Sequence, residues 1–414
     1  MAITRTSQLN RKQRKDLTRR LQSADPGLEV MHPNAAGIDV GNSTHYVAVR
    51  PDRDAEPVRR FDCFTADLHR LADWLLQCGV TTVAMQSTGV YWIPLYEILD
   101  ARGLEVYLVN ARRTKNLPGR KSDVQESQWL LKLHTYGLLR NSFHPVAEIR
   151  VVRTYWRQRG DHVRAISTCI QRMQKALTQM NIQLANVISD LSGWTGMRIV
   201  RAILAGQRDP HALAALSHPG IHASREMIAK SLEGTWQPDL LFVLQQEVVL
   251  YEAYQQRIVE CDQELEQHLG TFADKVNETA PAGEPSPTAT PDQRRSGPKR
   301  RRKAGSHTPQ FDLGRELHRI SGVDLTRIDG IDVGVAQTVI SEVGLDMSRW
   351  DNEHHFASWL GLCPDNRITG GKVAPRQLLS PVSDNYFCRR RISRGVSPTT
   401  WRHSVVVVGR SVAR

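Results

Sequence analysis

Between residues 36 and 139, short apolar runs alternate with stretches whose apolar residues recur every three or four positions, a rhythm few folds accommodate. Residues 36–40 read as a short strand ending in the turn signal Asp39-Val40-Gly41-Asn42. Residues 45–50 return as an alternating strand, and 58–64 supply a third. Leu68, Leu71, Trp74 and Leu75 then fall at helical spacing within 67–78. The pattern further predicts a buried strand over 81–85, an amphipathic helix over 91–102, a strand over 105–110 and a helix over 122–139. Elements in that order bury their apolar faces as a layered α/β sheet flanked by helices.

The order β-β-β-α-β-α-β-α is that of a ribonuclease-H-like domain, expected over residues 34–145. Ahead of it, residues 1–33 are polar and basic and read as a flexible arm. Residues 146–273 read as a helical region. One long helix within 151–190 carries Arg153, Arg157, Arg159, Arg164, Arg172 and Lys175, and a second spans 239–269. In the second, Leu241, Leu244, Val248, Tyr251, Ile258, Leu265 and Leu269 alternate three and four apart, with Gln255 and Asp262 interrupting the seam. Such a seam suits a coiled-coil dimer or an intramolecular helical hairpin equally well.

Residues 274–310 read as a linker whose run of Arg294, Arg295, Lys299, Arg300, Arg301, Arg302 and Lys303 cannot bury itself and stays disordered until an anion meets it. Residues 311–373 form a small, mostly α domain. There Ile328-Asp329-Gly330-Ile331-Asp332-Val333-Gly334 precedes an apolar helix, a helix-hairpin-helix-like element whose amides can face phosphate. The tail, 374–414, is atypical, with eight Arg, no Lys and one acid.

The 55 Lys and Arg outnumber 43 Asp and Glu, and the resulting charge of +12 favours a polyanionic partner. The six cysteines include no CxxC pair, which argues against a zinc ribbon or disulfide framework and fits a reducing cytoplasm. No apolar run approaches the roughly 20 residues of a membrane span. The N-terminus lacks the apolar segment of a secretory signal, so a soluble cytoplasmic protein with no membrane partner is expected.

Phosphodiester chemistry with two metals needs several carboxylates converging on ions ~3.5–4 Å apart. Asp39 ends the first strand, while Asp123 and Glu126, three apart, share one face at a helix start. In isolation Asp39 is equally a turn former, and the pair equally an ordinary helix-dipole partner. Arg112, Arg113, Lys115, Arg120 and Lys121 flank the acidic helix and read as a rim that holds a nucleic-acid backbone. Ser87 and Thr88 read as turn and cap residues. His32, His45, His134, His354 and His355 lack ligand spacing with cysteines and read as structural or solvated. Trp92, Trp129, Trp156 and Trp359 read as core residues.

Four longer motifs carry more weight. Gly37-Ile38-Asp39-Val40-Gly41, Met85-Gln86-Ser87-Thr88-Gly89-Val90-Tyr91-Trp92, Gly119-Arg120-Lys121-Ser122-Asp123-Val124-Gln125-Glu126 and Gly361-Leu362-Cys363-Pro364-Asp365-Asn366-Arg367-Ile368-Thr369-Gly370-Gly371-Lys372 stand in order over residues 32–373. Together they resemble the insertion-sequence-110 family of DEDD transposases, which includes the related pilin-gene invertases. The resemblance implies a RuvC-like N-terminal domain with four acidic positions for a divalent cation, Mg²⁺ or Mn²⁺. It also implies a C-terminal transposase domain whose hydroxyl attacks DNA phosphate and forms a covalent link. The implied partners are DNA, a structured guide RNA and further copies of the chain in a dimer or tetramer, with composite sites from two protomers.

By position, Asp39 matches the first acid and Asp123 the third. Gln86 stands where the family has Glu, Glu126 where it usually has Asp, and Thr369, followed by Lys372, where it has the nucleophilic Ser. An amide oxygen coordinates without adding charge, and a β-branched nucleophile is restricted at χ1. After Val373 the basic helical continuation of the family gives way to the Arg-only tail, as a reading-frame change produces. These departures predict the family architecture with impaired activity. Two other readings stand beside it, a RuvC-like junction nuclease using water and a catalytically dead nucleic-acid-binding remnant.

Overall fold

The computed structural model describes residues 11–22, 26–87, 89–110, 122–278, 308–328, 331–359, 368–369 and 372–373. Its contacts divide the chain into two compact units, Met1–His144 and Pro145–Arg414.

The first unit is α/β with a ribonuclease-H-like arrangement. Strands β1 (Ala35–Val40), β2 (Thr44–Val49), β3 (Val58–Asp62), β4 (Thr82–Gln86) and β5 (Glu105–Val109) form one sheet in the order β3-β2-β1-β4-β5. The β1–β2 and β2–β3 pairs are antiparallel, whereas β4 runs parallel to β1 and β5 parallel to β4. Among the described residues, its helices are α1 (Arg11–Gln22), α2 (Thr65–Gln77), α3 (Trp92–Ala101) and α4 (Asp123–Thr135).

Alternation along the strands decides the layers. Ala36, Ile38, Val40, Val83 and Met85 face Leu68, Leu71 and Leu75 of α2 and Leu95 and Leu99 of α3. The residues between them face α4, where Ala35 and Ala48 pack with Leu131. A sheet covered on both sides explains why β1 and β4 read as near-continuous apolar runs.

Within the flexible arm expected at 1–33, residues 11–22 form α1 instead, a stretch without Gly or Pro in which Asp16 pairs with Arg19 three residues on. Arg20 donates to the Pro26 and Gly27 carbonyls at 2.9 and 2.8 Å, and Leu21 is buried.

The second unit is built on helices α5 (Ala147–Gln179), α6 (Trp194–Leu204), α7 (Pro210–Ala214), α8 (Arg225–Ser231) and α9 (Pro238–Gly270). α9 lies antiparallel along α5. Its Leu244, Val248 and Tyr251 share a core with Met173, Ala176 and Leu177, while Leu265 and Leu269 pack with Ile149 and Val152. The α9 seam is therefore filled by the chain's own α5, as an intramolecular hairpin rather than a coiled-coil dimer contact. Its polar residues are satisfied internally. Asp262 receives Arg159 Nε at 2.5 Å, and Gln255 donates to the Tyr251 hydroxyl at 2.7 Å.

After a single helical turn, α10 (Lys275–Glu278), which begins the segment expected to be a disordered linker, come α11 (Leu313–Ser321), α12 (Val333–Val343) and α13 (Glu353–Trp359). Asp332 caps α12, its carboxylate accepting from Val335 N at 2.8 Å. Arginines close two helix C-termini. Arg319 donates to the Leu269 and Phe272 carbonyls at the end of α9, and Arg153 to those of Ser341 and Glu342 at the end of α12. Strands β6 (Ile368–Thr369) and β7 (Lys372–Val373) pair antiparallel, Thr369 opposite Lys372. Residues 279–307 of the expected linker and the whole tail, 374–414, lie outside the described residues. Among the described residues no helix is long and apolar enough to cross a membrane.

Candidate metal centre

The register that pairs Ile38 with Met85 brings the next residues, Asp39 and Gln86, to adjoining C-terminal ends of two parallel strands. Asp39 lies two residues beyond Gly37 and so shares its face of the sheet. That face meets α4 at backbone distance. A Cβ at Gly37 would stand 2.2 Å from Leu131 N and 2.4 Å from Ser127 O, so only glycine admits the helix.

α4 runs antiparallel to β1. The Thr135 carbonyl at its far end accepts from Met31 N and His32 N, just before the strand begins. Its N-terminus thus lies over the strand ends, where the Ser122 hydroxyl caps it by accepting from Gln125 N at 3.3 Å. Asp123 and Glu126 occupy this first turn.

At this edge the sheet and the helix are joined by a side-chain hydrogen bond. Gln86 Nε2 donates to Glu126 Oε2 at 3.4 Å. Gln86 is buried, Asp39 and Glu126 are half-buried, and Asp123 is exposed. Among the described residues no group of three or more His, Cys, Asp or Glu side chains is arranged as a metal cage. The donors, the carboxylates of Asp39, Asp123 and Glu126 and the Gln86 amide oxygen, are chemically suited to a hard divalent cation, with one ligand charge fewer than four acids supply.

His45, expected to be structural or solvated, is structural: it stands opposite Val40, is 1% exposed, and its Nε2 lies 3.4 Å from Cys63 Sγ. Burial pushes the His45 imidazole down and the Cys63 thiol up, so both are neutral. At the opposite end of the sheet His134 stacks on His32, ring centroids 4.6 Å apart, and contacts Thr82 Oγ1 at 2.9 Å. The Thr82 hydroxyl donates to the Glu105 carbonyl, so it accepts from the imidazole N–H.

The expected basic rim, Arg112, Arg113, Lys115, Arg120 and Lys121, lies outside the described residues, as does Thr88. Thr369 and Lys372 are placed by backbone pairing alone. The arginines along α5 turn largely inward, to acids. Arg153 and Arg157 reach Glu342, Arg159 reaches Asp262, and Arg172 reaches Glu247, while Arg164 pairs with Asp161 on its own helix.

Two family models match the chain. The DEDD model of IS110 transposases covers residues 36–182, and that of the transposase IS116/IS110/IS902 family covers residues 324–389. The chain belongs to the IS110 family of transposases. No curated protein sequence matches it. The second match runs beyond Val373, where the motif reading ended, as far as residue 389. As an IS110-family member the chain is a DNA transposase, a recombinase of insertion sequences. It acts on DNA within a family that depends on divalent metal.

Proposed function

We propose that this transposase cuts and rejoins DNA by phosphodiester transesterification at a weakened metal site, with activity below that of a four-acid relative. The Gln86–Glu126 hydrogen bond at the strand ends carries the reading. Asp39, Asp123 and Glu126 are the carboxylates that would hold Mg²⁺ or Mn²⁺, and the Gln86 amide oxygen is at most a neutral fourth donor. A bound divalent ion supplies Lewis acidity to the phosphate oxygens. The Thr369 hydroxyl is the nucleophile. Its oxygen forms a bond to phosphorus as the bond to the leaving sugar oxygen breaks, and that oxygen takes up the proton. Arg112, Arg113, Lys115, Arg120, Lys121 and Lys372 neutralise the DNA backbone.

On this reading residues 34–145 form the metal-binding domain and 311–373 the domain of the nucleophile, with the helical region 146–273 between them. A structured guide RNA selects the DNA, and copies of the chain assemble as a dimer or tetramer in the cytoplasm. The exposed stripe of Phe242, Val243, Val249 and Leu250 on α9 supports the oligomer. The same hydrogen bond also supports a second reading, a nucleic-acid-binding remnant without strand cleavage.

Titration of the full chain with Mn²⁺ tests the first reading. Gln86→Glu should bind about tenfold more tightly or better and raise recombination. Equal metal binding and equal, robust recombination in both forms would overturn the weakened-site reading. A Gln86→Glu protein that binds metal and still cleaves no strand would select the remnant. DNA trapped covalently on the chain, and lost with Thr369→Ala, checks the nucleophile.

A further inference from the structure

The same β4 end that carries Gln86 leads directly into an exposed apolar turn. Val90 is 66% exposed, Tyr91 44% and Ile93 38%, while Leu95 and Leu99 of the following helix are fully buried. The turn is held on both sides. Ser87 N donates to the Val109 carbonyl at 3.0 Å, and Ile93 N to that of Val90 at 3.2 Å. Trp92 Nε1 donates to the Gly89 carbonyl at 3.2 Å, and the Trp92 ring packs edge-on against Tyr96 and His144. Gly89, at φ +56, lets the Tyr91 ring lean in, since a Cβ there would stand 3.3 Å from Tyr91 Cε2. Tyr91 and Val90 are thus presented to solvent on a braced backbone, which lowers the entropy lost on binding.

An apolar ledge offers little to a phosphate, and a base inside a duplex already has its faces covered. An unpaired base has a free π-face, and aromatic side chains bind such faces with little regard to sequence. Exchange of DNA strands unpairs bases beside the cut. The chain as a whole carries a net charge of +12, which complements a nucleic acid rather than a second copy of itself. We propose that Val90 and Tyr91 form a stacking ledge for an unpaired DNA base next to the scissile phosphate. This rests on the proposal that DNA is cut at the Asp39–Gln86 edge.

The full chain is titrated in EDTA with a single-stranded DNA oligonucleotide carrying 2-aminopurine, whose fluorescence reports stacking. Wild type and Tyr91→Phe should quench it alike. Tyr91→Ala should lose the quench and bind about tenfold more weakly, and Val90→Ser should fall between, all with duplex binding unchanged. Wild-type affinity and quench in Tyr91→Ala would overturn the ledge, as would an equal loss on duplex DNA. So would a change confined to self-association in sedimentation, or a Tyr91-dependent quench on RNA and not on DNA. Because EDTA removes metal from the assay, a failed Gln86→Glu rescue beside an intact Tyr91 effect would sink the metal reading and leave the ledge.

Discussion

Replacing Asp262 by Ala should cost the helical hairpin about 3–5 kcal/mol, because it removes one half of a buried ion pair. The Arg159 and Asp262 side chains are 5% and 3% exposed. Arg159 Nε and Nη2 reach the two carboxylate oxygens at 2.5 and 3.3 Å, and Gln310 N donates to the second at 3.4 Å. The substitution leaves a buried cation with both of those bonds gone, the situation in which burial is most expensive. Against a typical stability of about 5–15 kcal/mol, the loss is a large fraction. Urea denaturation followed by far-UV circular dichroism reads it, with intrinsic fluorescence as a local check because the guanidinium lies 5.4 Å from the Trp156 ring centroid. The double variant Arg159→Met, Asp262→Leu removes both charges and should recover to within about 1.5 kcal/mol of the parent. A loss below about 1 kcal/mol in Asp262→Ala would refute the charge argument. An equal loss in the double variant would assign the effect to packing. A hairpin midpoint that rises with protein concentration would return the seam to an intermolecular role.

Two further outcomes follow from the first unit. Burial, aided by His32, pushes His134 down to about 3 from 6.5, so the fold selects its neutral form. The stability it contributes is complete above pH 6.5 and is lost as the pH falls toward about 3, at about 1.4 kcal/mol per unit. A thermal-unfolding series across that window should show the decline, and His134→Gln should flatten it; parallel slopes would exclude His134 as its source. Gly37→Ala should cost about 3 kcal/mol or more, since the new methyl meets backbone that cannot rotate away. An unchanged melting temperature would mean that α4 lifts freely from β1.

The strand faces were legible because β1 and β4 alternate between two helical layers, and the first two motifs fall at the adjoining strand ends that carry Asp39 and Gln86. The long arginines were not. Arg153, Arg157 and Arg159 look like a basic stripe until Glu342 and Asp262 arrive from more than a hundred residues away. No local spacing encodes such a partner. His45 and Cys63 likewise meet only because β2 and β3 pair with Thr44 opposite Asp62. The arm before β1 was misjudged for the opposite reason. Its charge hid a local helix whose Asp16–Arg19 pair lies three residues apart.

If the proposed site is right, the Gln86 amide acts on it twice, both times against the metal. Four carboxylates around one point repel, and a cation relieves them. An amide in one of those places removes a negative charge and also presents an N–H to Glu126, doing part of what the cation would do. On the proposed metal reading, the metal-free form is therefore favoured and the metal-bound form weakened. Without metal, Gln86→Glu should melt below the parent, by the few degrees that about 1–2 kcal/mol of carboxylate repulsion produces. Saturating Mn²⁺ should reverse the order, because the restored charge strengthens binding to the folded state alone. If the parent stayed the more stable at every Mn²⁺ concentration, the amide and the cation would not be competing for Glu126, and the site would have to be sought elsewhere on the sheet edge.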